Sequence, residues 1–175
     1  LNYLNEQHQA GIKGLKRLAD KGIGAVIMEP LMGGKLAALP DKVKTVFDES
    51  GSSRTPVQWA LDYLWDMDAV SVVLSGMSTM QQVKDNVAYA NAVSALTDAD
   101  RQVVAAVKKR YNELIAVPCT GCGYCMPCPF GVGIPSNFSA FNDFAAYDDP
   151  AVAAVSYKHM MMWQGRESGA DSCTG

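Results

Sequence analysis

No run of apolar residues approaches the ~20 that a bilayer-crossing helix needs, so no membrane-spanning segment is expected. Basic residues are also short. Against 18 Asp and Glu stand 15 Lys and Arg, giving a net charge of −3, and no basic stripe offsets it. That excludes a general nucleic-acid binder. Histidine is nearly absent: His8 and His159 belong to no motif and take no catalytic role. The opening Leu-Asn-Tyr-Leu-Asn has no basic region followed by an apolar core, so no signal peptide is expected. The first residue is not Met, and the chain stops abruptly at Ser172-Cys173-Thr174-Gly175, as expected for a fragment of a longer protein. What is present is a soluble globular balance, 49% hydrophobic and 19% charged. A length of 175 residues suits one ordinary domain, or part of a larger one with an appended module.

The first half alternates between helical and strand patterns. Residues Gln9 to Asp20 place Ile12, Leu15, Leu18 and Ala19 on one helical face, and Lys21-Gly22 stops that helix. The apolar run Ile23 to Met28 follows, a pattern typical of a strand buried on both faces. It ends in Glu29-Pro30-Leu31-Met32-Gly33-Gly34, a loop that continues neither structure. Thr55 with Pro56 opens another helix, with Trp59, Ala60, Tyr63 and Leu64 facing inward. A second buried strand is expected over Ala69 to Leu74. The turn Ser75-Gly76-Met77-Ser78-Thr79 then leads to a helix from about Met80 to Ala92 carrying Val83 and Val87. This order implies parallel strands in an α/β fold. Thr97-Asp98-Ala99-Asp100 is a near capping box with Asp in place of Glu. It opens a helix to about Ile115, with Val103, Val104, Val107, Tyr111 and Leu114 inward, and Pro118 ends it. The composition then changes to Cys, Pro, Gly and aromatics, which places a domain boundary near residue 117.

Four of the five cysteines crowd into Cys119-Thr-Gly-Cys122-Gly-Tyr-Cys125-Met-Pro-Cys128-Pro129. Disulfides need specific Cα separations and side-chain directions that such crowding makes awkward. The spacing suits metal binding in a reducing compartment, and the expected address is the cytoplasm. Cys119, Cys122 and Cys125 are each three residues apart and can converge from one loop on corners of a 4Fe–4S cluster. Gly121 and Gly123 can take positive φ and bring N–H groups close to sulfur. Pro129 matches the Pro after the last Cys of bacterial ferredoxins, which have three residues before that Cys where this chain has two. Cys119-Thr120-Gly121 recurs as Cys173-Thr174-Gly175. Cys173 is therefore assigned to a second cluster, with Cys128 as its companion. The competing assignment is a structural zinc held by the four crowded thiolates, although zinc motifs usually divide their ligands into two separated pairs. Phe138, Phe141, Phe144 and Tyr147 recur at roughly helical spacing and are expected to pack a core that shields clusters from water. Met160-Met161-Met162-Trp163 likewise reads as packing.

These residues together resemble the aldo/keto reductases that carry a C-terminal 4Fe–4S ferredoxin-type domain. The resemblance rests on Gly24 to Leu36 with its Glu-Pro-Leu-x-Gly-Gly loop, on Val73 to Thr79 with Asp85-Asn86, and on the cysteine block through Gly133-Ile134-Pro135. It implies the C-terminal portion of a TIM (β/α)8 barrel over residues 1–117. A truncated, mostly helical ferredoxin-like iron–sulfur domain would follow over 118–175. Leu1 to Asn5 would end the sixth strand, Ile23 to Met28 would be the seventh and Ala69 to Leu74 the eighth.

In such barrels the loops after strands seven and eight often hold phosphate. The resemblance thus implies NAD(P) contacts from Pro30, Leu31, Gly33, Gly34, Ser75, Gly76, Met77, Ser78, Gln82 and Asn86. Gly76 and Gln82 stand where NADPH-dependent relatives carry basic residues. The family's catalytic Asp, Tyr, Lys and His lie on earlier strands that this sequence lacks, so no residue is assigned a catalytic role. The parent would move a hydride between a nicotinamide and a small-molecule carbonyl or alcohol, with clusters passing electrons to a redox partner protein. The alternatives are an electron-transfer module on a non-catalytic scaffold and a zinc-stabilised structural domain.

Overall fold

The computed structural model of the chain describes residues 1–7, 9–164 and 169–174; His8, Arg166 and Gly175 lie outside them, as do the side chains of Met160, Met161 and Trp163. The chain is a mixed helix–strand protein that divides into two compact units, Leu1–Lys109 and Arg110–Gly175.

The first unit contains α1 (Gly11–Ala19), β1 (Ala25–Ile27), α2 (Asp41–Glu49), α3 (Pro56–Trp65), β2 (Val70–Val73), α4 (Met80–Asn91) and most of α5 (Asp98–Glu113). Gly22, at φ 67°, reverses the chain after α1, with the Ile23 N–H donating to the Leu18 carbonyl at 3.0 Å. Strands β1 and β2 pair in parallel with a bulge. Ala25 and Val26 face Val70 and Val72, and Ser71 is left between them. Its hydroxyl accepts the Ala25 N–H at 3.1 Å, so the irregular step leaves that donor satisfied.

One face of this sheet is covered. Leu15 of α1 and Leu64 of α3 pack on Ala25 and Ile27, with Leu18, Tyr63, Val70 and Val73 at the margin. The other face is open: Val26 is 56% and Val72 47% exposed, with Met28 and Leu74 also exposed. The expected burial of both strand faces is therefore corrected. Helices cover one side, and no described element covers the other. On α4, Val83 and Val87 are also exposed.

Leu1 to Asn5 is not a strand. The buried Asn2 accepts the Leu4 and Asn5 N–H groups on Oδ1 at 3.1 and 3.0 Å, which turns the chain after two residues. Its Nδ2 donates to the Glu29 carbonyl at 3.3 Å, so the segment still abuts the end of β1. The sheet of the described residues has two strands, and a closed barrel is not among their elements.

Helix α2, which the sequence patterns did not mark, buries Val43 and Phe47 four residues apart. Phe47 stacks on Trp59 with ring centroids 5.1 Å apart, and Tyr3 meets Phe47 and Tyr63 edge-on at 6.4 and 6.0 Å. Arg54 lies over the Trp59 ring at 4.7 Å. Its guanidinium donates to Asp62 Oδ2 at 2.9 Å, Asp100 Oδ1 at 2.9 Å and Ser94 Oγ at 3.2 Å. Burial pushes the Asp62 carboxyl up, against the Arg54 hydrogen bond and charge. Thr97 and Asp100 form the expected reciprocal cap of α5, at 3.1 and 2.9 Å. Farther along, Lys108 and Tyr63 both donate to the Glu6 carboxylate. Burial opposes ionisation of Glu6, but these partners outweigh it and hold its pKa below the usual glutamate value.

In the second unit, α6 (Ile134–Tyr147) packs on α7 (Pro150–Gln164). The buried face of α6 is Ala140, Asp143 and Ala146, with Ser156 of α7 donating to Asp143. Phe138, Phe141 and Phe144 are exposed, Phe141 at 51%, which corrects their expected core role. The small alanines let α7 approach that face and leave the phenylalanines on another. Tyr147 is half-buried, and burial followed by the Asp143 charge pushes its hydroxyl up to about 12.

Two outcomes follow from these contacts. Arg54→Met would leave Asp62, 1% exposed, as an uncompensated buried charge and should cost about 3 kcal/mol in urea unfolding. Because the Glu6 pKa is depressed on folding, its contribution is complete above the ordinary value of ~4.3 and is lost as pH falls through the folded value. Glu6→Gln should therefore flatten the stability loss as pH falls below about 4.3, read by denaturation at each pH.

Candidate functional sites

Parallel pairing brings the loops after β1 and β2 to the same end of the sheet. The first loop is tightly folded. Glu29 and Met32 sit at φ 54° and 52°, and Gly33 and Gly34 at 65° and 94°. Two successive left-handed residues suit glycine, whereas each non-glycine there costs on the order of 1 kcal/mol. Gly34 N–H donates to the Leu31 carbonyl at 2.9 Å and Leu36 N–H to the same oxygen at 3.1 Å. Buried Pro30 and Leu36 anchor the loop from below.

The second loop runs into α4 through a full capping box. Thr79 Oγ1 accepts the Gln82 N–H at 3.2 Å, and Gln82 Oε1 accepts the Thr79 and Ser78 N–H groups at 3.1 and 2.8 Å. One turn on, Asn86 Nδ2 donates to Ser75 Oγ at 3.1 Å and ties the loop to the helix.

Between the loops lies an open cleft of about 520 Å3, lined by Pro30, Leu31, Gly33, Gly34, Ser75 and Gly76 together with Met28, Glu29 and Leu74. A smaller one of about 90 Å3 shares Leu31, Ser75 and Gly76 and adds Gln82, Asn86, Asp85, Tyr89, Ala37 and Val57. Of the residues expected to contact a dinucleotide, Met77 and Ser78 line neither cleft. A Cβ added at Gly33, Gly34 or Gly76 would meet nothing within 4 Å. Ligand backbone or phosphate can approach the main chain there, and the donor set fits a dinucleotide in that respect. The charges that line the two clefts are Glu29 and Asp85, both acidic.

Sequence reasoning missed Met28, Glu29, Ala37, Val57, Leu74, Asp85 and Tyr89 as lining residues. For Asp85 and Tyr89 the signal was present, since 82, 85, 86 and 89 share one face of a helix. Tyr89 is held by Thr55, whose hydroxyl donates to it at 3.0 Å.

In the second unit, Cys119, Cys122, Cys125 and Cys128 all sit on the irregular segment between α5 and α6. Its entry is clamped by the Asn142 side chain, which accepts the Val117 N–H and donates to the Val117 carbonyl, each at 2.8 Å. Gly121 and Gly123 take φ 68° and 77°, the positive-φ conformation that glycine there was expected to allow. All five cysteines are free; Cys128 is partly buried and the others are exposed, with Cys173 beyond the 3-10 turn Ala170–Ser172. The Tyr124 N–H and then the Thr120 hydroxyl hold the Cys122 thiol below the ordinary cysteine range. Among the described residues no group of three or more His, Cys, Asp or Glu side chains is gathered as a metal site. The four crowded cysteines supply thiols of the type and number that a cluster takes, but among the described residues they are not gathered into a metal site.

Thr79→Ala removes the reciprocal cap that shapes the 75–79 loop, and should lower stability by about 1 kcal/mol in thermal or urea unfolding. Thr79→Ser should restore it. In comparisons with protein-family models, curated proteins and solved structures, nothing matches this chain.

Proposed function

We propose that this chain is the C-terminal part of an iron–sulfur aldo/keto reductase-like oxidoreductase. The observation that carries the proposal is the cleft formed where the loops of two parallel strands meet beside a capped helix start. That is where open α/β sheets and barrels place their ligands. The open sheet face of Val26 and Val72, and the exposed Met80, Val83 and Val87 on α4, suit the barrel portion of the proposal. Apolar surfaces of that kind are what a barrel interior and its neighbouring strand would cover.

In this proposal Gly33, Gly34 and Gly76 admit the diphosphate of a nicotinamide dinucleotide against the main chain. The N-terminal dipole of α4 favours its negative charge. Asn86 holds Ser75 in place, and Leu31 and Leu74 supply apolar contact to the ligand. The dinucleotide supplies hydride transfer to or from a small carbonyl or alcohol, through catalytic groups outside this chain. Cys119, Cys122 and Cys125 would hold one 4Fe–4S cluster, and Cys128 with Cys173 would serve a second. Such clusters supply one-electron transfer. Tyr124 and Thr120 then donate to Cys122, lowering the charge on its sulfur and raising the ease of reduction.

The test is the anaerobic visible spectrum of the purified protein, with iron, sulfide and zinc assayed on the same sample. A broad brown absorption that bleaches with dithionite, with iron and sulfide in comparable amounts, is expected. Cys119→Ser, Cys122→Ser and Cys125→Ser should each lower bound iron. A colourless protein holding one zinc would replace the cluster with a structural metal.

A further inference from the structure

We infer that the smaller cleft beside α4 accepts an adenosine ribose whose 2′-hydroxyl is free and turns away one that carries a 2′-phosphate. This rests on the dinucleotide proposal above and deepens it, assigning the cofactor as NAD(H) rather than NADP(H).

The cleft is walled on one side by Gln82, Asp85, Asn86 and Tyr89 of α4, and Asp85 is the charged residue that lines it. Gln81 Nε2 donates to Asp85 Oδ1 at 2.7 Å, which orients the carboxylate and leaves Oδ2 to accept from a ligand. A carboxylate in that position accepts hydrogen bonds from ribose hydroxyls, which is how dinucleotide sites hold an unphosphorylated ribose. A 2′-phosphate brings close to two negative charges and needs a guanidinium or ammonium to offset them. No lysine or arginine lines either cleft.

Gln82 does not substitute for such a cation. Its Oε1 is engaged by the Ser78 and Thr79 N–H groups at 2.8 and 3.1 Å, which ties the side chain to the cap. Thr79 Oγ1 takes the Gln82 N–H in return, so the chain's own atoms fill part of the helix start that a second phosphate would use. At about 90 Å3 the cleft receives one edge of a nucleoside, and the larger cleft, sharing Leu31, Ser75 and Gly76, takes the diphosphate.

The experiment is calorimetric titration of the 175-residue chain with NAD+ and with NADP+, as wild type, Asp85→Asn and Asp85→Lys, with circular dichroism confirming that each variant is folded. Wild type should bind NAD+ more tightly by about fivefold. Asp85→Asn should narrow the gap, mainly by improving NADP+, and Asp85→Lys should reverse it. Raising salt should shrink the wild-type gap, because the repulsion is screened. NADP+ binding as tightly as NAD+ to wild type overturns the inference while leaving the dinucleotide site standing. A preference for NAD+ that both variants keep unchanged removes Asp85 as its cause and likewise overturns it. Failure of both dinucleotides to bind overturns the dinucleotide proposal itself.

Discussion

The Arg54 side chain is the constraint on which the first unit depends. Its planar guanidinium lies over Trp59 and reaches Asp62 on α3, Asp100 in the cap of α5, and Ser94 between α4 and α5. Lysine could not do this, because a single ammonium lacks the flat stacking face and the fork of donors. The next residue, Thr55, caps α3 through the Gln58 N–H and reaches Tyr89 on α4. Residues 54 and 55 together therefore fix three helices, and two of them supply Val57 and Tyr89 to the smaller cleft. Burying Asp62 is affordable only because Arg54 is itself held on two other sides.

The sheet depends on a different balance. Two parallel strands of three and four residues make few ladder bonds, and one face of them is open. Their alignment comes from the covered face, where Leu15 and Leu64 clamp Ala25 and Ile27. The Ser71 hydroxyl completes the bonding that the bulge interrupts. Leu74 continues the pairing by donating to the Ile27 carbonyl at 2.9 Å, which carries the two strand ends forward together. The cleft inherits its position from that last bond, since both of its loops begin there.

Much of this was legible because local chemistry decided it. Thr55-Pro56 and Thr97 with Asp100 start helices through their own side chains, and the glycines at 33, 34, 121 and 123 fall where left-handed backbone is needed. The cleft residues on the strand-end loops were named through the family resemblance, since their glycines alone read as tight turns. Other features were set by distant partners. Helix α2 carries two buried apolar residues in a polar stretch, too few for a periodic signal. Leu1 to Asn5 looks extended until the Asn2 side chain turns it toward Glu29, 27 positions away. Burial of Val26 and Val72 depends on what covers the sheet, which apolarity alone does not state. The Asn142 clamp on Val117 spans 25 positions and leaves no mark in the pattern.

The chemistry of the cleft follows from what it lacks as much as from what it contains. A dinucleotide is an anion, yet the charged side chains along the lining are the acidic Glu29 and Asp85. For the proposed dinucleotide, attraction would come from main-chain donors and from the α4 dipole, the latter worth roughly 0.3–1 kcal/mol at an exposed site. Both carboxylates work against that gain, at a strength that solvent screening limits in an open cleft. In the proposed site that balance would tolerate a diphosphate lying against glycine backbone, where no side chain intervenes. It would turn unfavourable for each further phosphate placed near α4, because added charge there would meet the Asp85 carboxylate. Apolar contact from Leu31, Leu74, Val57 and Tyr89 would then carry a large share of the proposed affinity, which favours ligands with broad uncharged rings over compact polyanions.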